Sequence, residues 1–226
     1  DDSPGHAHAD FLSVEATAGG KRFLVDTGVP TYTAGTDRNA SRSAAAHNGP
    51  RLIDAEPIEF WKSFRVGRRG YAGELDLTPP DGALITAGWQ SGYAHLGADV
   101  RRAVCLWPGS GLLIADLWRG AAMTAETRLL IPSEWAVAAG STFSQDGTDL
   151  SVQALAGTLS APEDAAHWYR FGVERKAHRL VLQPDLAKGE ARAAVYFSWS
   201  PDTVIPDADV LAGLFVGLAT AIPTAG

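Results

Sequence analysis

The residues best suited to chemistry in this chain stand near its start, in the segment Gly5-His6-Ala7-His8-Ala9-Asp10. If that segment is extended, its side chains alternate and His6, His8 and Asp10 share one face. Two imidazoles and a carboxylate are donor types that zinc and similar divalent ions take. A His-x-His pair alone is a weak signal, since a solvated terminus reads the same way. Two further segments carry donors: Val25-Asp26-Thr27-Gly28, and Arg42-Ser43-Ala44-Ala45-Ala46-His47-Asn48-Gly49. An Asp before Gly is also an ordinary turn former, and a single loop His an ordinary surface residue. Spacing keeps these donors apart. A hairpin turning at Gly19-Gly20 sets Asp26 opposite Ser13, about 17 Å along the strand from His8. A metal site using both therefore needs a bulge, a bend or a longer-range strand arrangement.

The elements that must position these residues read as strands. Short apolar or alternating runs recur at Phe11–Thr17, Lys21–Asp26, Arg51–Asp54, Glu59–Arg68, Tyr71–Leu77, Ala83–Ala87, Tyr93–Leu96 and Arg101–Trp107. They continue at Leu112–Trp118, Glu126–Ile131, Leu150–Leu155, His178–Leu182 and Ala191–Trp199. Gly, Pro, Asp and Asn separate them, as turn chemistry requires. Ala18-Gly19-Gly20 and Pro108-Gly109-Ser110-Gly111 mark two hairpins. Long amphipathic helical periods are scarce, so the expected fold is all-β, a large antiparallel β-sandwich. Residues 1–200 are expected to form this domain. Residues 201–226, with LAGLFVGLATAIP, are expected to be a C-terminal tail, a final strand or a short helix. Ser141–Asp149 is polar enough for a mobile loop.

Composition excludes some functions. The 226 residues carry 26 acidic and 19 basic side chains, a formal charge of -7, which argues against a general nucleic-acid binder. No apolar run is long enough for a membrane span. Cys105 is alone, so no disulfide forms within the chain. The chain opens on Asp1 and reaches its densest polar motif by His6, from which we expect a piece of a longer protein.

The order GHAHADFLS, FLVDTG, RSAAAHN and FWKSFRVGRRG resembles the heparinase II/III-like family of polysaccharide lyases. The resemblance covers Gly5 to Gly70 and continues more faintly through VRRAVCLWPGSGLLIADLWRG, TRLLIPSEW and WYRFGVERKAHRLVL. It implies the C-terminal sandwich of an enzyme whose upstream part is a helical toroid. By resemblance His8, Asp26 and His47 hold a structural zinc or other divalent ion, and His6 is the active-site histidine. Asp10 orients an imidazole, while Arg42 and Asn48 either bind a uronate carboxylate or fix the loop. Ala7 stands where many relatives have Gly, and Ala44 where Thr is common.

The implied reaction is β-elimination on an acidic, uronic-acid-containing polysaccharide, in the periplasm or outside the cell. The usual tyrosine acid/base, and the Asn or His that grips the carboxylate, belong to the toroid. Neither Tyr32 nor Tyr71 is assigned to that role. Phe60, Trp61 and Phe64 offer either a sugar-stacking surface or core, and Arg65, Arg68 and Arg69 add local positive charge. His95, His167 and His178 read as ordinary residues. Two other functions compete: a non-catalytic carbohydrate-binding or scaffolding sandwich with a structural metal, and a metal-dependent oxygenase of double-stranded β-helix type. The oxygenase lacks the usual acidic partner spacing.

Overall fold

The computed structural model describes residues 4–120, 124–187 and 189–223. Two antiparallel sheets face each other across one core, as expected. In chain order the elements before the large strands are short. They are β1 (Ala16–Ala18), β2 (Lys21–Leu24), α1 (Thr36–Arg42), β3 (Pro50–Leu52), β4 (Phe60–Trp61), β5 (Arg65–Val66) and β6 (Ala72–Glu74). Longer strands follow: β7 (Leu84–Gln90), β8 (Asp99–Trp107), β9 (Gly111–Arg119), β10 (Ala125–Pro132), β11 (Ala136–Ala139), β12 (Thr142–Gln145) and β13 (Thr148–Ala156). The chain closes with β14 (Thr158–Leu159), β15 (Glu163–Arg170), β16 (Val173–Gln183), β17 (Asp185–Ala187), β18 (Glu190–Ser198) and α2 (Ala208–Thr220).

The larger sheet runs β11-β12-β13-β18-β9-β8-β7-β6, with β17 on β18. The smaller runs β14-β16-β10-β3, with β15 on β16. β9 shows why its sequence is apolar almost without a break. Leu112, Ile114 and Trp118 enter the core between the sheets, while Leu113, Ala115 and Leu117 lie in a second core with Leu214, Phe215 and Leu218 of α2. A strand buried on both faces loses its polar alternation. α2 is therefore a structural layer. Asp207 caps its N-terminus by accepting from the backbone N–H of Asp209 and Val210. Arg101 Nη1 donates to the carbonyls of Leu218 and Ala221 at its other end. Of the forms expected for residues 201–226 the helix is the one present, and residues 224–226 lie outside the described residues. Among the described residues no helix is long and apolar enough to cross a membrane. Cys105 lies in the core beneath α2, where burial pushes its thiol up to about 12.

Three local expectations change. Ser141–Asp149, expected to be a mobile loop, is the β12–β13 hairpin, turning at Asp146 and Gly147, both with positive φ. Asp-Gly suits such a turn. Glu59–Arg68, expected as one strand, folds back as the β4–β5 hairpin, with Lys62 at φ 60 in its turn. Tyr93–Leu96, expected as a strand, instead holds a turn of 3-10 helix at Ala94–Leu96; Tyr93 is buried in the core while Ala94, His95 and Leu96 face solvent.

The feature that most affects the site lies between the sheets. Arg102 of β8 and Asp116 of β9 form a two-pronged ion pair, Nε–Oδ1 2.6 Å and Nη2–Oδ2 2.7 Å, with both side chains out of solvent. Thr127 of β10 donates to the same carboxylate and so ties in the second sheet. Arg102 Nη1 also donates to the carbonyl of Leu12, at 2.7 Å, and to that of Asn48. The pair thus anchors the two loops that carry the donor-rich segments.

Candidate functional site

The His6 segment is threaded alongside α1 and held by its arginines. α1 has seven residues and buries Arg38, Ser41 and Arg42, which share one side at helical spacing. Arg38 Nη2 donates to Gly5 O at 2.7 Å, and Arg42 Nε donates to Ala7 O at 2.8 Å. Arg42 O in turn accepts the N–H of Ala9 at 2.8 Å. Two guanidinium groups thus fix the backbone on either side of His6. Arg42 also lies over the Phe60 ring at 4.6 Å and donates to Lys62 O, so its described contacts secure the loops rather than face solvent.

The imidazoles of the motif diverge. A turn of 3-10 helix at Pro4–His6 breaks the extended alternation, so the shared face expected for His6, His8 and Asp10 does not form. His6 is exposed, its ring 5.2 Å from that of Tyr32. His8 instead lines a cleft of about 520 Å³ together with Asp10, Asp26 and His47. Arg38 Nη1 lies 3.0 Å from His8 Nε2. Burial, then the nearby His47 and Arg38, lowers His8 to about 4, so it is neutral near pH 7. Asp10 is exposed on the cleft wall, and among the described residues no hydrogen bond joins its carboxylate to an imidazole.

The bend that hairpin geometry demanded is present. The chain turns at Asp10–Ser13, with Ser13 N–H donating to Asp10 O and Leu12 at φ 57. β1 and β2 also carry an irregularity between Ala16 and Thr17. The result brings His8 to His47, ring centroids 5.3 Å apart, and His47 to Asp26, Nδ1–Oδ2 2.6 Å. Burial works to raise the Asp26 carboxyl. The hydrogen bonds from His47 and the Gly28 N–H outweigh it and hold the group below its ordinary range. Asn48 is fully engaged: its Nδ2 donates to Val14 O and Val25 O, and its Oδ1 accepts from Leu130 N–H. It fixes the loop that presents His47.

His8, Asp26 and His47 supply the right donor types for zinc, and His47 Nε2 is buried without a hydrogen-bond partner. Their placement is a different matter. Among the described residues no three His, Cys, Asp or Glu side chains are grouped to hold a metal ion. Asp26 orients His47 through Nδ1, and His8 Nε2 already meets a guanidinium.

Sequence reasoning missed the opposite wall. β15 and β16 form a hairpin that docks on the segment after β2, with Trp168 N–H donating to Thr27 O at 2.7 Å and Gly172 N–H to Val29 O at 3.3 Å. Gly28, at φ 75, permits this approach, because a Cβ there would sit 2.4 Å from Trp168 O. His167, which read as ordinary, lines the cleft with its Nε2 buried and unpartnered. Arg38 was legible in principle, since Arg38 and Arg42 stand four apart.

These features meet in one place: a conformationally fixed exposed histidine, a polar cleft beside it, and a two-sheet scaffold. The sequence matches the family described as Heparinase II/III-like, C-terminal, over residues 1–200. The chain belongs to that family. Solved structures agree on the fold of this heparinase II/III-like C-terminal domain. The heparan sulfate lyase HepC from Pedobacter heparinus superposes with a TM-score of 0.66 at 19% identity, covering 88% of this chain and 32% of that one. A structure described as heparinase III gives 0.62 at 19% identity, covering 87% of this chain and 31% of its own. A heparinase III gene product with methylated lysines gives 0.67 at 16% identity, with coverage of 86% and 30%. The chain thus spans about a third of the length of these enzymes. No curated protein matches the sequence. Membership places the heparinase II/III-like domain in a polysaccharide lyase family.

Proposed function

We propose that this chain is the β-sandwich portion of a lyase that cleaves a uronic-acid-containing polysaccharide by β-elimination, together with an upstream helical toroid of the same protein. The observation that carries this reading is the setting of His6, an exposed imidazole on a backbone pinned by Arg38 and Arg42. The C5 proton of a uronate is poorly acidic while the neighbouring carboxylate keeps its charge. The site must therefore neutralise that carboxylate and stabilise the enolate-like state. An imidazole side chain can help with neutralisation or proton transfer, and the Arg38 guanidinium, held on the Gly5 carbonyl, adds positive potential. The groups that take the C5 proton and protonate the leaving oxygen come in part from the toroid. Arg42 and Asn48 act as positioning residues, and Asp10 adds negative charge at the cleft mouth. Zinc is part of the proposal through the donor types of His8, Asp26 and His47 and the unpartnered His47 Nε2. Its role would be to pin the loops behind His6. A polymer substrate favours the periplasm or the cell exterior.

The test uses the full-length protein and uronate polymers of heparan and alginate type. Unsaturated uronate products, followed by the ultraviolet absorbance of their double bond, are expected, with none from residues 1–226 alone. His6→Ala is expected to lower kcat by about 10²–10⁴ with the fold intact. Binding without cleavage, unchanged in His6→Ala, would instead favour a non-catalytic carbohydrate-binding sandwich.

A further inference from the structure

Large aromatic side chains at hairpin tips are unusual, because a turn exposes them on several sides. Here the β15–β16 tip carries Phe171, which is 62% exposed, and lays it on Tyr32, which is 43% exposed. The rings stack at 5.2 Å with 22° between their planes. Tyr32 also meets His6, ring centroids 5.2 Å apart and planes tilted by 58°, and the buried Arg38 guanidinium lies over the Tyr32 ring, 4.9 Å from its centre. Phe171 is not needed to dock the hairpin. The backbone hydrogen bonds to Thr27 and Val29 do that, and the close approach at Gly28 sets the angle. What remains is a stacked pair of rings beside His6, a shelf whose more exposed member is Phe171.

We propose that Tyr32 and Phe171 form a sugar-stacking subsite for the residue of an acidic polysaccharide adjoining the one acted on at His6, with Arg170 drawing in its anionic substituent. The inference rests on the lyase reading above and adds the residues that hold the polymer. The C–H face of a pyranose ring is apolar and fits an aromatic face, while its edge hydroxyls stay in water. Charge points the same way. Arg170 precedes Phe171, is exposed, and lies over the Tyr169 ring at 5.2 Å. Among the described residues no carboxylate lies within ion-pair distance of it. Its neighbour Arg175 differs, being paired with Glu134 at 2.7 Å. An exposed cation next in sequence to Phe171, in a chain of net charge -7, suits a carboxylated or sulfated sugar. The shelf also continues directly from His6, so a polymer lying across it presents successive rings to the histidine.

Phe171→Ala, Phe171→Trp and Arg170→Ala in the full-length protein test this, with cleavage rate and equilibrium binding of the same uronate polymers as readouts. Phe171→Ala is expected to raise KM and the binding Kd about three- to tenfold while kcat stays within about twofold, the signature of lost uniform binding. Phe171→Trp should restore both. Arg170→Ala should weaken binding at low ionic strength, with the difference shrinking as salt rises. Unchanged KM and Kd in Phe171→Ala would overturn the subsite. So would a large fall in its thermal stability without loss of affinity, which would show the shelf covered by the upstream part of the chain. If the unaltered protein cleaves no uronate polymer, the lyase reading fails. Binding then decides the subsite by the same comparison.

Discussion

Arg38 and Arg102 are both buried, yet the protein treats their charges in opposite ways. Arg102 lies between two regular sheets and meets Asp116 through two parallel hydrogen bonds, with Thr127 completing the carboxylate. Arg38 lies on a helix of about two turns among loops. Its partners are a carbonyl, the imidazole of His8 and the face of Tyr32, and among the described residues it has no carboxylate within ion-pair distance. One region neutralises its buried cation and spends it on alignment. The other keeps the cation unneutralised beside His6 and His8, where it disfavours protonation of His8 and offers attraction to an anion. Scaffold and site are thus distinguished by where the compensating negative charge comes from.

The largest effect should come from breaking the compensated pair. Arg102→Met strands the Asp116 carboxylate in the core and should cost about 3–5 kcal/mol, read from the denaturant midpoint of the sandwich. Arg102→Met with Asp116→Leu should recover most of that loss, since the pair replaced as a unit leaves no stranded charge. Arg38→Met strands no carboxylate, so about 1–3 kcal/mol is expected, mostly from the Gly5 carbonyl and local packing. It should also raise the His8 pKa in an NMR titration, because Arg38 is one cause of its depression. Equal costs for the two arginine variants would break the comparison.

A smaller effect concerns pH. His8 titrates at about 4 when folded and near 6.5 when unfolded, so between these values the unfolded chain binds the extra proton. Stability should fall as pH drops through that window in metal-free protein. The loss is about 1–2 kcal/mol after discounting for partial solvent screening. His8→Asn should flatten that slope.

These contrasts explain what the sequence could show. The β8–β9 hairpin was legible at Pro108–Gly111 because both strands are long and the turn residues local. α1 was not, because its seven residues gain their order from Arg38 and Arg42 gripping a distant segment rather than from a helical apolar period. β15 was hidden for a related reason. Both of its ends are solvated, so Glu163 and Asp164 at one end and Tyr169 and Arg170 at the other give no inside-outside alternation. Within the site, motif order brought His6, His8, Asp26 and His47 forward. Their division between an exposed shelf and a cleft depends on the 3-10 turn at His6 and the turn at Leu12. The cleft wall from His167 to Tyr169 carries no spacing signal at all, because long-range docking alone brings it there.

That docking has a consequence for the order of folding. The β15–β16 hairpin can form early from neighbouring residues, and so can the β1–β2 turn. The contact of Trp168 with Thr27 and Gly28 joins segments far apart in the sequence, so the closure entropy must be met first. The shelf and the cleft wall are therefore expected to be assembled late, with the other long-range pairings of the two sheets. An intact shelf beside His6 then serves as a report that the rest of the sandwich has been made.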